Sequence, residues 1–259
     1  MREILERLAR GEISVEEAER LLKILSIAEV EELARLDLGR EIRKGVPEII
    51  LAEGKELGDI INLAKRMVHD AGRAIISRAS DELMERIADM IPEALVEVNE
   101  RARIVVVRRI DFKVEKSGGK IGILAAGTSD LRVAEEARVI AEEMGCEVLK
   151  AYDVGVAGLH RLFEPLKEMI RHDVDVLIVV AGREGALASL VAGLVDIPVI
   201  GVPVSIGYGF GERGLGALMS MLQSCSLGLA VVNIDGGVPA GIVASLIANR
   251  VAKYRRSRC

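Results

Sequence analysis

The chain has 259 residues, half of them hydrophobic and 29% charged, enough apolar material for one large core or two small ones. A formal net charge of -5, with 2% aromatic residues and no tryptophan, offers neither the basic footprint nor the stacking rings of a nucleic-acid binder, so no nucleic-acid partner is expected. The three cysteines, Cys146, Cys225 and Cys259, show no CxxC spacing and give no sign of a disulfide framework or zinc knuckle; each is read singly.

The first residues, MREILERLARGEISVEEAERLL, are charged at helical spacing and lack a signal-peptide core. No apolar run reaches the ~18 residues of a membrane span, so the expectation is a cytoplasmic protein without a membrane partner. Residues 3–9 and 14–25 read as short helices, with Ile4, Leu5 and Leu8 on one face of the first and Ser14 capping the second, Glu17 following three places on. A third helical run around 27–36 leads into a stretch punctuated by Gly39, Gly45 and Pro47 that holds two strand-like pieces, one at 47–52. Residues 55–69 and 80–90 have amphipathic spacing around a short strand at 74–77, and ARIVVVRR is a further strand. This gives a small α+β domain over residues 1–115, for which an oligomerisation or lid role is the simplest expectation.

KVEKSGGK, residues 113–120, reads as a linker, and residues 116–259 as a second domain. Twenty of the 26 glycines lie in residues 118–259, as expected where backbone turns tightly or approaches a ligand. Apolar strands begin near 121, 147, 175, 199 and 229, with helices between them such as 133–144 and 161–171. Strands apolar throughout and alternating with helices imply a five-stranded, parallel, doubly wound α/β sheet covered on both faces. Ligands in such sheets gather at the carboxyl ends of the strands beside the switch in strand order, which points to the loops after the first and third strands.

After the first strand comes AAGTSD. Gly127 lets backbone approach, Thr128 and Ser129 offer hydroxyls, and a helix amino terminus follows, which suits a phosphate; equally, Ser129 or Asp130 could simply cap that helix. The second loop carries Asp153, His160 and Arg161. After the third strand, Gly182 and Gly185 bracket Arg183 and Glu184; the acid either moves protons, with a pKa raised by expected burial, or caps the next helix. SIGYGFGERGLG, with five glycines from Gly207 to Gly216, is a mobile loop or a flap over a substrate. Cys225 follows the next helix, and a lone thiol there is apolar filler or a reactive group. Cys146 sits at the entry to the second strand and Cys259 at the end of the tail, both expected to be idle.

In combination, AGTSD, YDVGVAGLHRL, AGREGALASLVAGLVDIPVIGVPVSIGYG and SCSLGLAVVNIDGG resemble the PurE-related family typified by the LarB pyridinium-3,5-biscarboxylic acid mononucleotide synthases. DLGREIRKGVPEIILAEGK is similar to that family's amino-terminal region. The resemblance implies carboxylation of nicotinic acid adenine dinucleotide at ring C5 by CO2 or bicarbonate. It further implies cleavage of the phosphoanhydride to release AMP, the product serving assembly of the nickel-pincer nucleotide of lactate racemase. The alternative is a PurE-type aminoimidazole ribonucleotide carboxylase or mutase, which shares the Ser129–Asp130 and His160–Arg161 pairs but is opposed by SCSLGL and the long amino-terminal region.

The resemblance also places Cys225 and Glu184 at active-site positions, with Asp130 and His160 as further catalytic candidates. Gly127, Thr128, Ser129, Asp153, Arg161, Gly182 and Arg183 are the expected binding residues. An electron-poor pyridinium cannot attack CO2 unaided, whereas a thiolate adding at C4 creates a dihydropyridine whose C5 is nucleophilic. Mg2+ on the diphosphate is compatible with this chemistry, although no dense carboxylate cluster calls for it. Cys225 precedes the fifth strand and the phosphate loop follows the first, so one sheet aims them at opposite edges. The homo-octamer implied by the resemblance would reconcile them through neighbouring subunits.

Overall fold

The computed structural model describes residues 2–29, 44–207, 209 and 211–257. Helices α1 (Arg2–Ala9) and α2 (Val15–Glu29) open the chain, and the Ser14 hydroxyl accepts from the Glu17 amide at 3.2 Å, capping α2. Most of the helical run expected at 27–36, the strand-like piece before Gly45, and Cys259 lie outside the described residues.

The N-terminal sheet has the order β1 (Ile49–Leu51), β2 (Arg73–Ser77), β4 (Ile104–Arg108), β3 (Leu95–Asn99). β1 and β2 run parallel, joined by α3 (Leu57–Ala71), while β4 is antiparallel to both of its neighbours. Helix α4 (Asp81–Met90) starts at Ser80, whose side chain accepts from the Leu83 amide. The core beneath is Ile76, Leu83, Ile87 and Val105, all fully buried. β3 is absent from the sequence reading: LVEVN pairs on one side only and leaves Leu95, Glu97 and Val98 exposed, so it has no apolar run to mark it.

The C-terminal sheet comprises β5 (Lys120–Ala125), β6 (Glu147–Ala151), β7 (Val176–Ala181), β8 (Val199–Pro203) and β9 (Leu229–Val231). All pairs are parallel, in the order β6-β5-β7-β8-β9, with the switch in direction between β5 and β7. This is the expected doubly wound, flavodoxin-like arrangement. Every residue of β7 and β8 is buried because helices cover both faces. Ile121, Ile123 and Val180 face α5 (Leu131–Glu143) and α9 (Gly237–Arg256); Leu124, Leu177 and Val179 face α6 (His160–Arg171) and α7 (Ala186–Ala192). Helix α8 (Leu215–Leu222) adds Met221 to that second layer.

Helix α9 lies tightly on α5: a Cβ at Gly241 would come within 2.7 Å of the Ala137 carbonyl oxygen. The Gly/Ala face of α9 is therefore used within the protomer, against α5. The two domains dock through a mixed layer in which Val46, Ile75 and Ile104 meet Val139, Ile140 and Met144. At its margin Arg73, 5% exposed, donates to Glu143 Oε2 at 3.0 Å, and Arg108 pairs with the same carboxylate. Removing one partner of a buried pair of this kind costs about 3–5 kcal/mol, so the docking is a fixed feature of the fold.

Candidate active site

At the carboxyl ends of β5 and β7 the first and third loops enclose a cleft of about 190 Å³. Gly127, Ser129 and Asp130 form one wall, Gly182, Arg183 and Glu184 another, and Gly155, Val156 and Ile206 complete it. The loop geometry demands small residues. A Cβ at Gly155 would lie 2.7 Å from the Ala126 carbonyl oxygen, and one at Gly182 would lie 2.8 Å from that of Ile206. The Gly155 amide ties the second loop to the end of β5 by donating to Ala126 at 2.8 Å.

Asp130 does not cap α5: its Oδ2 accepts from the Gly127 amide at 2.8 Å, closing a 3-10 turn ahead of the helix. The residue is 3% exposed, and its Oδ1 has no well-formed hydrogen bond. Burial pushes this carboxyl up, against the opposing pull of the Gly127 and Gly182 amides. Asp130 thus fixes the turn that carries Ser129 into the cleft.

Glu184 corrects one expectation. It lines the cleft but is exposed, so the burial expected of it is not found. It is not a helix cap either, since Gly185 holds the capping position of α7 and no side chain caps that helix. Arg183 beside it holds a φ of 50°, a left-handed conformation that costs an ordinary residue on the order of 1–2 kcal/mol. Asp153 (φ 58°) and Asp235 (φ 55°) hold similar conformations after β6 and β9. Strain at the carboxyl edge is a common companion of function.

The structure therefore gathers Gly127, Ser129, Asp130, Gly182, Arg183 and Glu184 around one space. Thr128, Asp153, His160 and Arg161 are exposed and stand outside its lining, with Arg161 paired to Asp153. Cys225 is exposed and is not among the residues that line the cleft. Its neighbour Ser226 puts Oγ within 3.2 Å of the Cβ position of Gly193, which ends α7, whereas the cleft lies at the beginning of α7. Cys146 is buried, its thiol donates to Asn249 Oδ1 at 3.1 Å, and burial pushes its pKa up, as befits an inert core group.

Two contributors escaped the sequence reading. Ile206 closes the cleft from the loop after β8, and Asp235 steers that loop by accepting from the Ser205 amide at 2.9 Å and from its hydroxyl at 2.5 Å. An acid following a strand was the available signal for Asp235. Among the described residues no three His, Cys, Asp or Glu side chains converge as a metal site. No described helix is long and apolar enough to cross a membrane.

Residues 120–257 match the AIR carboxylase family and residues 27–109 the LarB/PurE-like N-terminal domain. An uncharacterized protein of Methanocaldococcus jannaschii is 44% identical over 258 residues, 98% of each chain. A probable N5-carboxyaminoimidazole ribonucleotide mutase of Methanothermobacter thermautotrophicus is 35% identical over 53% of this chain and 42% of its own length. The N5-carboxyaminoimidazole ribonucleotide mutase of Thermotoga maritima is 33% identical over 52% of this chain and 83% of its own. These matches accord with the parallel sheet and the cleft at its switch point, and the family is one of enzymes. The chain belongs to the AIR carboxylase family as a PurE-related protein of the LarB type, distinguished by its LarB/PurE-like N-terminal domain.

Proposed function

We propose that the protein carboxylates the pyridinium ring of nicotinic acid adenine dinucleotide at C5 and hydrolyses the phosphoanhydride, releasing AMP and a dicarboxylated mononucleotide for nickel-pincer nucleotide assembly. The observation that carries this reading is a free, exposed thiol, Cys225, in a chain whose cleft also presents the free carboxylate rim of Glu184. An aminoimidazole needs no nucleophile to capture CO2, whereas a pyridinium does.

In this mechanism the Cys225 thiolate adds to ring C4, and the ring's positive charge is quenched as a dihydropyridine forms. The enamine carbon C5 then bonds to CO2, leaving an iminium. Glu184 takes the proton from C5, the C5–C6 double bond returns, and departure of the thiolate from C4 restores the aromatic cation. Ser129 and the uncapped amino end of α5 hold a phosphate, and Asp130 keeps that turn in place. His160 and Arg161 stand beside the cleft as further substrate contacts. Because Cys225 lies at the other edge of the sheet, the thiol that serves a given cleft comes from a neighbouring protomer of a homo-oligomer, an octamer by resemblance. Mg2+, if it takes part, is carried chiefly by the substrate's own phosphates.

The experiment is incubation with nicotinic acid adenine dinucleotide and labelled bicarbonate. AMP and a labelled dicarboxylated mononucleotide are expected. Absence of both, with turnover of N5-carboxyaminoimidazole ribonucleotide instead, would replace this reading with the mutase activity named for the relatives.

A further inference from the structure

The N-terminal sheet has a carboxyl edge of its own. β1 and β2 are parallel neighbours, and the loops leaving them run into the amino ends of α3 and α4. A cleft of about 630 Å³ opens between these loops, lined by Lys55, Arg78 and Arg103, by Glu53 and Glu82, and from the other domain by Arg132. Arg132 lies two residues beyond Asp130, so the start of α5 is a wall common to this cleft and the candidate active site. Two residues are about 3 Å apart along a helix and about 200° apart around it, so the two faces of that wall are separated by the helix's own width of about 10 Å.

The lining is built for a ligand carrying both anionic and hydroxyl groups. Arg78 and Arg103 hold left-handed φ values of 53° and 51° at the ends of their loops. Arg132 is held loosely, 3.7 Å from Glu136 and 3.8 Å from Asp235, and Lys55 makes no ion pair among the described residues. Arg78 meets Glu53 at 2.7 Å in an exposed pair that a stronger anion can displace. The amino end of α3 has no side-chain cap.

We propose that this interdomain cleft binds a nucleoside monophosphate unit, the adenylate half of the dinucleotide. Its phosphate lies on Arg78, Arg132 and Lys55, its ribose hydroxyls lie on Glu53, and the nicotinate half occupies the cleft at Asp130 and Glu184. The assignment rests on the dinucleotide reading above. It accounts for a second domain: the Thermotoga maritima mutase, which is named for a mononucleotide substrate, is matched over 83% of its length by about half of this chain. One nucleotide needs one cleft, and a dinucleotide needs two that adjoin.

The test is calorimetric titration of the full chain with AMP, inorganic phosphate and nicotinic acid mononucleotide. AMP should bind more tightly than phosphate. Arg78→Ala and Lys55→Ala should each weaken AMP at least about tenfold while changing the mononucleotide by less than about twofold. In turnover, KM for the dinucleotide should rise by a comparable factor with kcat held within about twofold. Equal AMP affinity in the wild type and both variants, no AMP binding, competition between AMP and the mononucleotide for one site, or phosphate binding as tightly as AMP would each overturn the proposal. Lys55 is an exposed side chain whose truncation leaves the fold intact, so the test stands even if Arg78→Ala is unstable. A chain that binds AMP as expected but does not carboxylate the dinucleotide refutes the function reading alone. Carboxylation without cation-dependent AMP binding refutes the interdomain site alone.

Discussion

At the carboxyl edge of the five-stranded sheet a cleft opens among Asp130, Gly182 and Glu184, while at the amino edge the turn before β9 holds Cys225 out in solvent. Both edges belong to one sheet whose central strands β5, β7 and β8 are almost wholly buried, and a strand of five or six residues keeps its two ends about 17–20 Å apart. A parallel sheet sorts loops by whether they precede or follow a strand, so a group before β9 and a group after β7 cannot meet within one protomer. The reaction proposed here needs both, and under that proposal a neighbouring protomer supplies the thiol.

The strongest way to break this comparison is Cys225→Ala, which should reduce carboxylation at least ~1,000-fold, about 4 kcal/mol of barrier. Subunit mixing sharpens it. Assembling Cys225→Ala with Glu184→Gln chains in equal amounts should restore roughly a quarter of wild-type activity, because random pairing leaves that share of sites with both native groups. No recovery would mean that the two groups serve one site from the same chain.

Glu184→Gln alone should lower turnover about 10²–10⁴-fold and leave the thiol adduct in place, visible in the absorbance of a dihydropyridine. Full activity would remove Glu184 from proton transfer.

A smaller effect distinguishes two adjacent acids behind the carboxyl edge. Burial opposes ionisation of Glu135, but hydrogen bonds from the Tyr152 hydroxyl, Arg138 and Asn99 outweigh it and draw its pKa down to about 2. Glu136 lacks such donors: burial raises it to about 7, only partly offset by Arg132 and Arg78, and Asp235 adds to the rise. The folded chain therefore keeps a proton on Glu136 that the unfolded chain releases above about pH 4.5. This contribution to stability is complete below that pH and is lost as pH rises through 7. Glu136→Gln should abolish a decline on the order of 2–3 kcal/mol between pH 5 and 8, seen as a flatter melting temperature over that range. An unchanged slope would show that Glu136 is ionised throughout.

The smallest effect tests whether the frame behind both edges is as tight as it looks. Gly241→Ala places a methyl 2.7 Å from the Ala137 carbonyl oxygen. Overpacking of about 1–3 kcal/mol should exceed the ~1 kcal/mol gained in helix propensity, so thermal denaturation should occur earlier by a few degrees. A stabilised variant would mean that α9 can shift on α5.

Much of this architecture was legible in the residues. Runs such as DVLIVVAG and VIGVPVS are apolar at every position, which only a sheet covered on both faces explains, and the helices between them fell within a residue or two of their observed bounds. β3 was not legible, since LVEVN is a five-residue strand interrupted by Glu97 and buries none of its residues fully. In the site, the grouping of Ser129 and Asp130 with Glu184 followed from their places after the first and third strands. The exposure of Glu184 did not, because burial at a loop depends on what lies opposite it and not on its neighbours in the chain. The interdomain cleft was equally hidden, with Lys55, Arg78, Arg103 and Arg132 spread over some 80 residues of sequence and no shared motif.

By itself, then, the sequence determined the alternation of strands and helices, the parallel sheet and the loops at which ligands gather, because each follows from local periodicity and from the rule that buried strands are apolar. The tertiary structure alone decided that Arg132 stands between two clefts and that Glu184 is exposed at the rim of one of them. Those relations arise from domain docking and from what packs opposite a loop, and no local pattern of residues carries either.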